Sequence, residues 1–239
     1  MTELLFREDA YRTEAEGTVT GHTPEGLIVL DGSIFYATGG GQPGDGGRIS
    51  WEGGHAHIAT AVKAGGDAIA LVPSEEVALP PVGALVEQVL DWDRRHAHMR
   101  VHTALHLLSV VIPRPVTGGS ITETKGRLDF DMPEAPEDKA ALEEALNALI
   151  ARDLAVTEDW ITEAELDARP DLVKTMSVQP PRGAGHIRLI RIGEGADQVD
   201  LQPCGGTHVA RTGDIGRVRL GKIEKKGRQN RRVSLHLED

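Results

Sequence analysis

The sequence predicts an α+β protein in two domains: a small antiparallel β-barrel over residues 1–90, then, over 91–239, an α+β domain with helices packed on an antiparallel sheet. Three observations predict it. Short apolar runs separated by turn signals fill residues 17–90; from about Asp91 the apolar spacing lengthens to a helical period; strand-length runs return among and after the helices. A chain of 239 residues allows one large domain or two modest ones, each with its own core.

In the first part GLIVL, SIFYA, RISW, HIATAV, AIALV and ALVEQVL are divided by PEG, DGS, GGGQPGDGG, EGG and AGGD. That spacing fits an antiparallel barrel that closes its own edges. In 99–112, Val101, Leu105, Leu108 and Ile112 form one helical stripe, which Ala104, Leu107 and Val111 widen until the helix is apolar round much of its circumference. Such a helix is buried. A second helix over 136–153 opens on proline and acids and carries Leu142, Leu146, Leu149 and Ile150 on one face. Thr162 with Glu165 reads as a capping box opening a short third helix that Pro170 interrupts. Strands are expected at 127–130, 154–160, 186–193, 215–223 and 232–237; in the last, Val233, Leu235 and Leu237 alternate with Ser234, His236 and Glu238.

Composition bounds the function. An aromatic share of 3% makes the cores aliphatic and leaves little for an aromatic base-stacking platform. A net charge of −11 argues against non-specific coating of nucleic acid, and no DNA partner is expected. The charge is uneven, however: RVRLGKIEKKGRQNRR, from Arg217 to Arg232, is dense in Lys and Arg with a single Glu. On charge alone this is equally a solvated hairpin or a phosphate contact. The single cysteine, Cys204, excludes an internal disulfide and fits a reducing compartment. No apolar run reaches the roughly 20 residues of a membrane span, and MTELLFREDAYR carries acids in place of a basic signal region. The expected location is cytoplasmic, without a membrane partner.

The chemistry centres on VHTALHLLSVV, residues 101–111. His102 and His106 stand four apart, so a helix stacks them on one face, able to aim at one point. CGGTH, residues 204–208, offers Cys204 and His208, with two glycines that let a loop turn both the same way. Each pair alone is a weak signal, since buried histidines are often only hydrogen-bonded. Together they give three imidazoles and one thiolate, a donor set suited to one zinc ion. His98, four residues before His102, is a weaker ligand candidate, and His55, His57 and His96 weaker again; His22, His186 and His236 read as ordinary surface or strand histidines. A zinc peptidase would place Glu beside the first histidine, where this chain has Thr103, so peptidase chemistry is not expected.

HTALH and CGGTH, with FYATGGGQPGDGG upstream and TGDIGRVRLGKIEKKGRQNRR downstream, resemble the editing domain of alanyl-tRNA synthetase. As a free-standing chain the sequence resembles the AlaX family of alanyl-tRNA editing proteins, in the medium-length form, whose glycine-rich motif and preceding barrel the short form lacks. The resemblance covers nearly the whole chain. It implies a trans-editing hydrolase that removes serine, with glycine as a further candidate, from mischarged alanine tRNA. An alanine pocket rejects neither an added hydroxyl nor a lost methyl strongly, so a second site must destroy the error.

The resemblance also implies roles for single residues. Thr117 is the nearest match to the threonine that reads the serine hydroxyl, with Thr122 and Thr124 close enough to compete, and a turn-capping role as the plain alternative. Gly40, Gly41 and Gln42 of GGGQPG correspond to a segment that supports editing, the plain alternative being a wide barrel turn. Lys222, Lys225, Lys226, Arg228, Arg231 and Arg232 would meet acceptor-stem phosphates. Four protein ligands fill a tetrahedral zinc, whereas a catalytic zinc keeps a position open. The ion therefore either activates ester or water, or only organises the site, and the sequence names no general base. Two rival readings are a non-catalytic, zinc-stabilised tRNA-binding module and a metal hydrolase acting on another small ester or amide. The oligomeric state is left open.

Overall fold

Alternation in Glu14–His22 turns Ala15, Gly17 and Val19 inward and leaves Glu14, Glu16 and Thr20 in solvent, the pattern of a strand with one wet face. The computed structural model describes residues 1–66, 68–76, 78–176 and 185–238, and the chain divides into two units, Met1–His96 and Ala97–Asp239. Among the described residues of the first unit, six strands close into an antiparallel barrel: Glu14–His22, Ile28–Leu30, Gly47–Trp51, Gly54–Ala64, Ala68–Pro73 and Leu85–Leu90. Numbered along the chain, they run first, second, fifth, fourth, third, sixth around the ring, and Leu85–Leu90 pairs back onto Glu14–His22. Closure leaves no open edge. Ile28, Leu30, Ile49, Ala61, Leu71 and Val86 fill the interior, each large side chain contributing roughly 1.5–3 kcal/mol of transfer free energy.

Five of the six apolar runs of the sequence lie in these strands, and SIFYA does not. Only Gly32–Ser33 forms a ladder there, a short parallel pair with Glu3–Leu4. Ile34, Phe35 and Tyr36 are core residues, but their N–H groups donate to side chains: to Gln88 Oε1 at 3.2 Å, Ser33 Oγ at 3.1 Å and Asp45 Oδ2 at 2.6 Å. A buried loop and a buried strand are equally apolar, and what separates them is where the backbone bonds go. Asp45 also takes the Nε–H of the buried Arg95 at 2.9 Å, and Arg95 reaches Ile34 O at 2.6 Å and Ala10 O at 2.9 Å. The strand Glu14–His22 was partly hidden in the sequence for the opposite reason: its inward residues are small.

GGGQPG makes a narrow turn, not a wide one. Gly39 and Gln42 exchange backbone hydrogen bonds at 3.0 and 2.9 Å, and the two central residues, Gly40 and Gly41, have φ of +57° and +86°. Positive φ at both centres is the tight hairpin turn that favours glycine. Two residues on, a Cβ at Gly44 would lie 2.2 Å from Ala61 O, so the loop seats itself directly on the barrel backbone.

The helix that carries the histidines is longer than its apolar stripe, spanning Trp92–Val111. Asp91 Oδ1 accepts the Arg94 N–H at 3.2 Å and caps it. Within the second unit Val101, Ala104, Leu105, Leu107 and Leu108 are buried as the stripe requires. The second helix is Lys139–Ala151, capped by Asp138 and buried through Leu146 and Ile150. Thr162 and Glu165 form the predicted capping box, opening the helix Glu163–Asp167 before Pro170.

Among the described residues of this unit there are two antiparallel sheets where the sequence predicted one. The first has the order Val218–Lys226, Asn230–Leu237, Lys125–Asp131, Val116–Ile121; the second runs Val156–Thr162, His186–Ile192, Asp200–Pro203. The strands without a sequence signal are VTGGSI, with two glycines, and DLQP, too short to show a period. In the second sheet Ile161, Ile187, Leu189 and Leu201 pack with Leu166 and Leu172 into a small core. By alternation the other face carries Ile190, Ile192, Asp200 and Gln202. No helix among the described residues is long and apolar enough to cross a membrane.

Candidate metal centre

Two segments of the second unit bring four side chains to one point. His102 and His106 stack along the helix with ring centroids 5.3 Å apart. The loop after Asp200–Pro203 supplies Cys204 and His208, the His208 ring lying 4.3 Å from that of His102 and 4.6 Å from that of His106. Cys204 Sγ is 3.5 Å from His102 Nε2 and 3.3 Å from His208 Nε2. One ligating atom from each of the four residues lies within 4.8 Å of all the others. Tetrahedral zinc bonds of about 2.0–2.3 Å put donor atoms about 3.3–3.6 Å apart, which both sulfur–nitrogen distances match. Three imidazoles and a thiolate at this spacing could hold a metal ion and are consistent with zinc.

The partners behind the ligands favour the same reading. Asp200 Oδ2 accepts from His106 Nδ1 at 3.0 Å and from Gln202 Nε2 at 2.7 Å, and Lys174 Nζ binds its other oxygen at 2.5 Å. On the far side Thr103 Oγ1 donates to Met99 O at 2.9 Å, so toward His208 Nδ1, at 3.2 Å, and the Val209 N–H, at 3.2 Å, it accepts. Both buried histidines therefore hydrogen-bond through Nδ1 and face the centre with Nε2, as metal-binding histidines are commonly oriented. Arg188 fixes the loop, donating to Cys204 O at 3.0 Å and Gly206 O at 2.8 Å while pairing with Glu158.

Charge at the centre is tightly coupled. Burial opposes ionisation of Cys204, but the neighbouring His102 and His208 outweigh it and hold the thiol well below its ordinary value. Burial also opposes charge on His106, and there the Asp200 hydrogen bond with Cys204 prevails, pushing it up to about 9. Burial, with His102 beside it, drives His208 well down. A thiolate beside three imidazoles is a donor set that suits a metal cation. His106 and His208 are buried, whereas His102 and Cys204 are partly exposed.

The other candidates fall elsewhere. His98 is buried on the same helix and outside the four-residue group. His55 and His57 are exposed on a barrel strand, and His96 stacks on Trp92. Gly40, Gly41 and Gln42 belong to the first unit, where Gln42 is fully buried. Thr117 sits in the strand Val116–Ile121, not in a turn, at a register shift in which Asp129 faces Gly118 and Phe130 faces Val116. A bulge of this kind re-aims a side chain, and the Thr117 hydroxyl donates to Asp129 O at 3.1 Å.

The basic segment divides. Lys222, Lys225, Lys226 and Arg228 are exposed on the hairpin of Val218–Lys226 with Asn230–Leu237. Arg231 is buried and bonded to Pro133 O and Asn230 O. Arg232 clamps Asp129 through Nε at 2.7 Å and Nη2 at 2.8 Å. The outward patch is thus narrower than its sequence, because Arg231 is buried and Arg232 is committed to Asp129.

Sequence reasoning passed over Asp200, Gln202, Lys174 and Arg188. A signal was present for two of them: in DLQPC, Asp200, Gln202 and Cys204 are spaced by two, so a strand leading into the cysteine puts all three on one face.

Residues 7–94 match the family described as tRNA synthetases class II (A), and residues 187–234 the one described as Threonyl and Alanyl tRNA synthetase second additional domain. The whole chain is 34% identical to the alanyl-tRNA editing protein AlaX-M of Methanosarcina mazei, covering 98% of that protein. It is likewise 34% identical to the alanyl-tRNA editing protein AlaX-M of Methanosarcina barkeri, with both chains covered in full. The alanine–tRNA ligase of Pyrobaculum arsenaticum is 33% identical over 94% of this chain, which spans 25% of that enzyme. Identity at this level over the full length of both partners leaves one conclusion about kinship: the chain belongs to the AlaX-M family of alanyl-tRNA editing proteins.

Proposed function

We propose that this protein is a trans-editing deacylase that hydrolyses the ester joining serine to alanine tRNA, with glycine as its second substrate. One observation carries the reading: a full-length relative of alanyl-tRNA editing proteins keeps three histidines and a cysteine converged at donor spacing. The natural cofactor is one zinc ion on His102, His106, Cys204 and His208. Such an ion supplies Lewis acidity, to the ester carbonyl or to a water.

The chain's own residues do the rest. Asp200 and Thr103 hold two imidazoles in the ligating tautomer, and Arg188 holds the CGGTH loop in place. The partly exposed His102 and Cys204 form the side from which an ester can approach. Thr117 reads the serine hydroxyl; alanine, lacking that group, would leave a polar partner unpaired, and this separates error from correct product. Gly40, Gly41 and Gln42 support the acceptor end. The exposed Lys222, Lys225, Lys226 and Arg228 meet tRNA phosphates, since backbone contacts fix register without reading sequence.

A second reading rests on the four protein ligands themselves. A filled tetrahedral site is the usual form of a structural zinc, and a non-catalytic tRNA-binding module would be built that way. The test is deacylation of Ser-tRNA(Ala) beside Ala-tRNA(Ala), with the zinc content measured. Fast loss of serine with alanine spared, and joint loss of zinc and activity in Cys204→Ala, is expected. Zinc-loaded protein that binds tRNA and hydrolyses neither ester would establish the binding module instead.

A further inference from the structure

Trp160 is an aromatic residue that a protein of this composition does not place in water without cost. Only 3% of the chain is aromatic, and Trp160 is 47% exposed, in the edge strand Val156–Thr162 of the three-stranded sheet. Its position is specific. Trp160 pairs with Arg188 in the ladder, and the Cys204 N–H donates to Arg188 O at 3.2 Å, continuing the same row one strand further. Directly paired residues share a face. The row Trp160, Arg188, Cys204 therefore lies on the face that carries Gln202 and Asp200, while Ile161, Ile187 and Leu189 serve the small core behind.

Strands about 4.8 Å apart put the backbone of Trp160 roughly 10 Å from that of Cys204. That is the scale of one nucleoside. Cys204 is also one of the two partly exposed residues of the cluster. An ester seated at the cluster carries its ribose with it, and the attached base must lie within one nucleoside length of the ester. The intervening Arg188 guanidinium is itself committed, to Cys204 O, Gly206 O and Glu158. It thus forms a fixed floor between ligand and ring.

We propose that Trp160 is the stacking surface for the terminal nucleobase of the aminoacyl-tRNA, a substrate-binding residue for the reaction argued above. The inference rests on that reading. A single ring holds one base and no more, which agrees with a composition too poor in aromatics for an extended platform. Stacking is tolerant of base identity and adds affinity without recognition of sequence.

The experiment compares wild type, Trp160→Phe and Trp160→Ala, each with its zinc content verified, in steady-state deacylation of Ser-tRNA(Ala). Base stacking removed by alanine substitution corresponds to about 5- to 150-fold in affinity. The expected result is a KM raised at least fivefold in Trp160→Ala with kcat little changed, and largely restored in Trp160→Phe. Added adenosine should inhibit wild type and fail to inhibit Trp160→Ala. Unchanged KM in Trp160→Ala would overturn the proposal while leaving deacylation standing. So would a change of sedimentation in Trp160→Ala with unaltered kinetics, since the ring would then serve a contact between copies. Wild-type protein without deacylase activity would instead remove the reading on which the proposal rests.

Discussion

Thr103 Oγ1 lies 3.2 Å from His208 Nδ1 across 105 residues of sequence, both side chains buried. The residue that stands where a zinc peptidase has its glutamate is here an orienting hydroxyl, with its proton given to Met99 O and its lone pairs to His208 and Val209. Thr103→Val keeps the shape and removes the acceptor. Two buried N–H groups then lose their partner, and zinc affinity should fall about 10- to 100-fold. Competition with a chromophoric chelator measures it, and Thr103→Ser should retain most of the affinity. Equal affinities in Val and wild type would mean that the threonine only packs.

Asp200 does the same for His106 from the opposite side. Its carboxylate accepts from His106, Gln202 and Lys174 at once. Asp200→Asn should weaken zinc by about 10- to 100-fold. Lys174→Met should cost less, because the Lys174 side chain is partly exposed and its pairing with the carboxylate is screened by solvent. A zinc titration in which Lys174→Met is the more damaging variant would reverse this order of importance.

The basic hairpin predicts a difference between neighbours. Replacing Lys222, Lys225, Lys226 and Arg228 by alanine should weaken tRNA binding and lower the slope of log K against log salt by about 1 for each phosphate no longer neutralised. Arg231→Ala should leave that slope unchanged and lower stability, since its guanidinium is bonded to Pro133 O and Asn230 O. Binding isotherms at several salt concentrations, beside urea unfolding, distinguish the two behaviours.

Asp129 gives the fold a pH dependence. The Arg232 guanidinium, with Arg127 beside it, holds the Asp129 carboxyl below the usual carboxylate range. A folded value below the unfolded one means stabilisation above the unfolded value, near 4, and its loss as pH falls through the folded one. Asp129→Asn should therefore be less stable than wild type at pH 7 by about 1 kcal/mol, allowing for solvent screening, and the gap should narrow as pH falls below the unfolded value of about 4. Urea midpoints at pH 7 and pH 3 check it; a gap that widens in acid would contradict the assignment.

Much of the site is legible in the sequence because its information is local. His102 and His106 are four apart on a helix, Cys204 and His208 flank two glycines, and each spacing constrains geometry without reference to the rest of the chain. The same holds for the buried helix, the capping box at Thr162 and five of the barrel strands. What hides is either too short or too mixed to show a period. VTGGSI and DLQP are strands only because neighbours pair with them, and SIFYA is a loop because Gln88, Ser33 and Asp45 take its N–H groups.

By itself the sequence determined the α+β class, the barrel, the histidine helix and the identity of four metal-ligand candidates. The tertiary structure alone decided that the two pairs meet, and that Asp200, Thr103 and Arg188 stand behind them. It alone buried Arg231, tied Arg232 to Asp129, and placed Trp160 in a row with Cys204. The physical reason is the reach of the interactions. Periodicity and capping act within a few residues, whereas a hydrogen bond from His106 to Asp200 spans 94 positions and exists only once the helix and the three-stranded sheet have found their places.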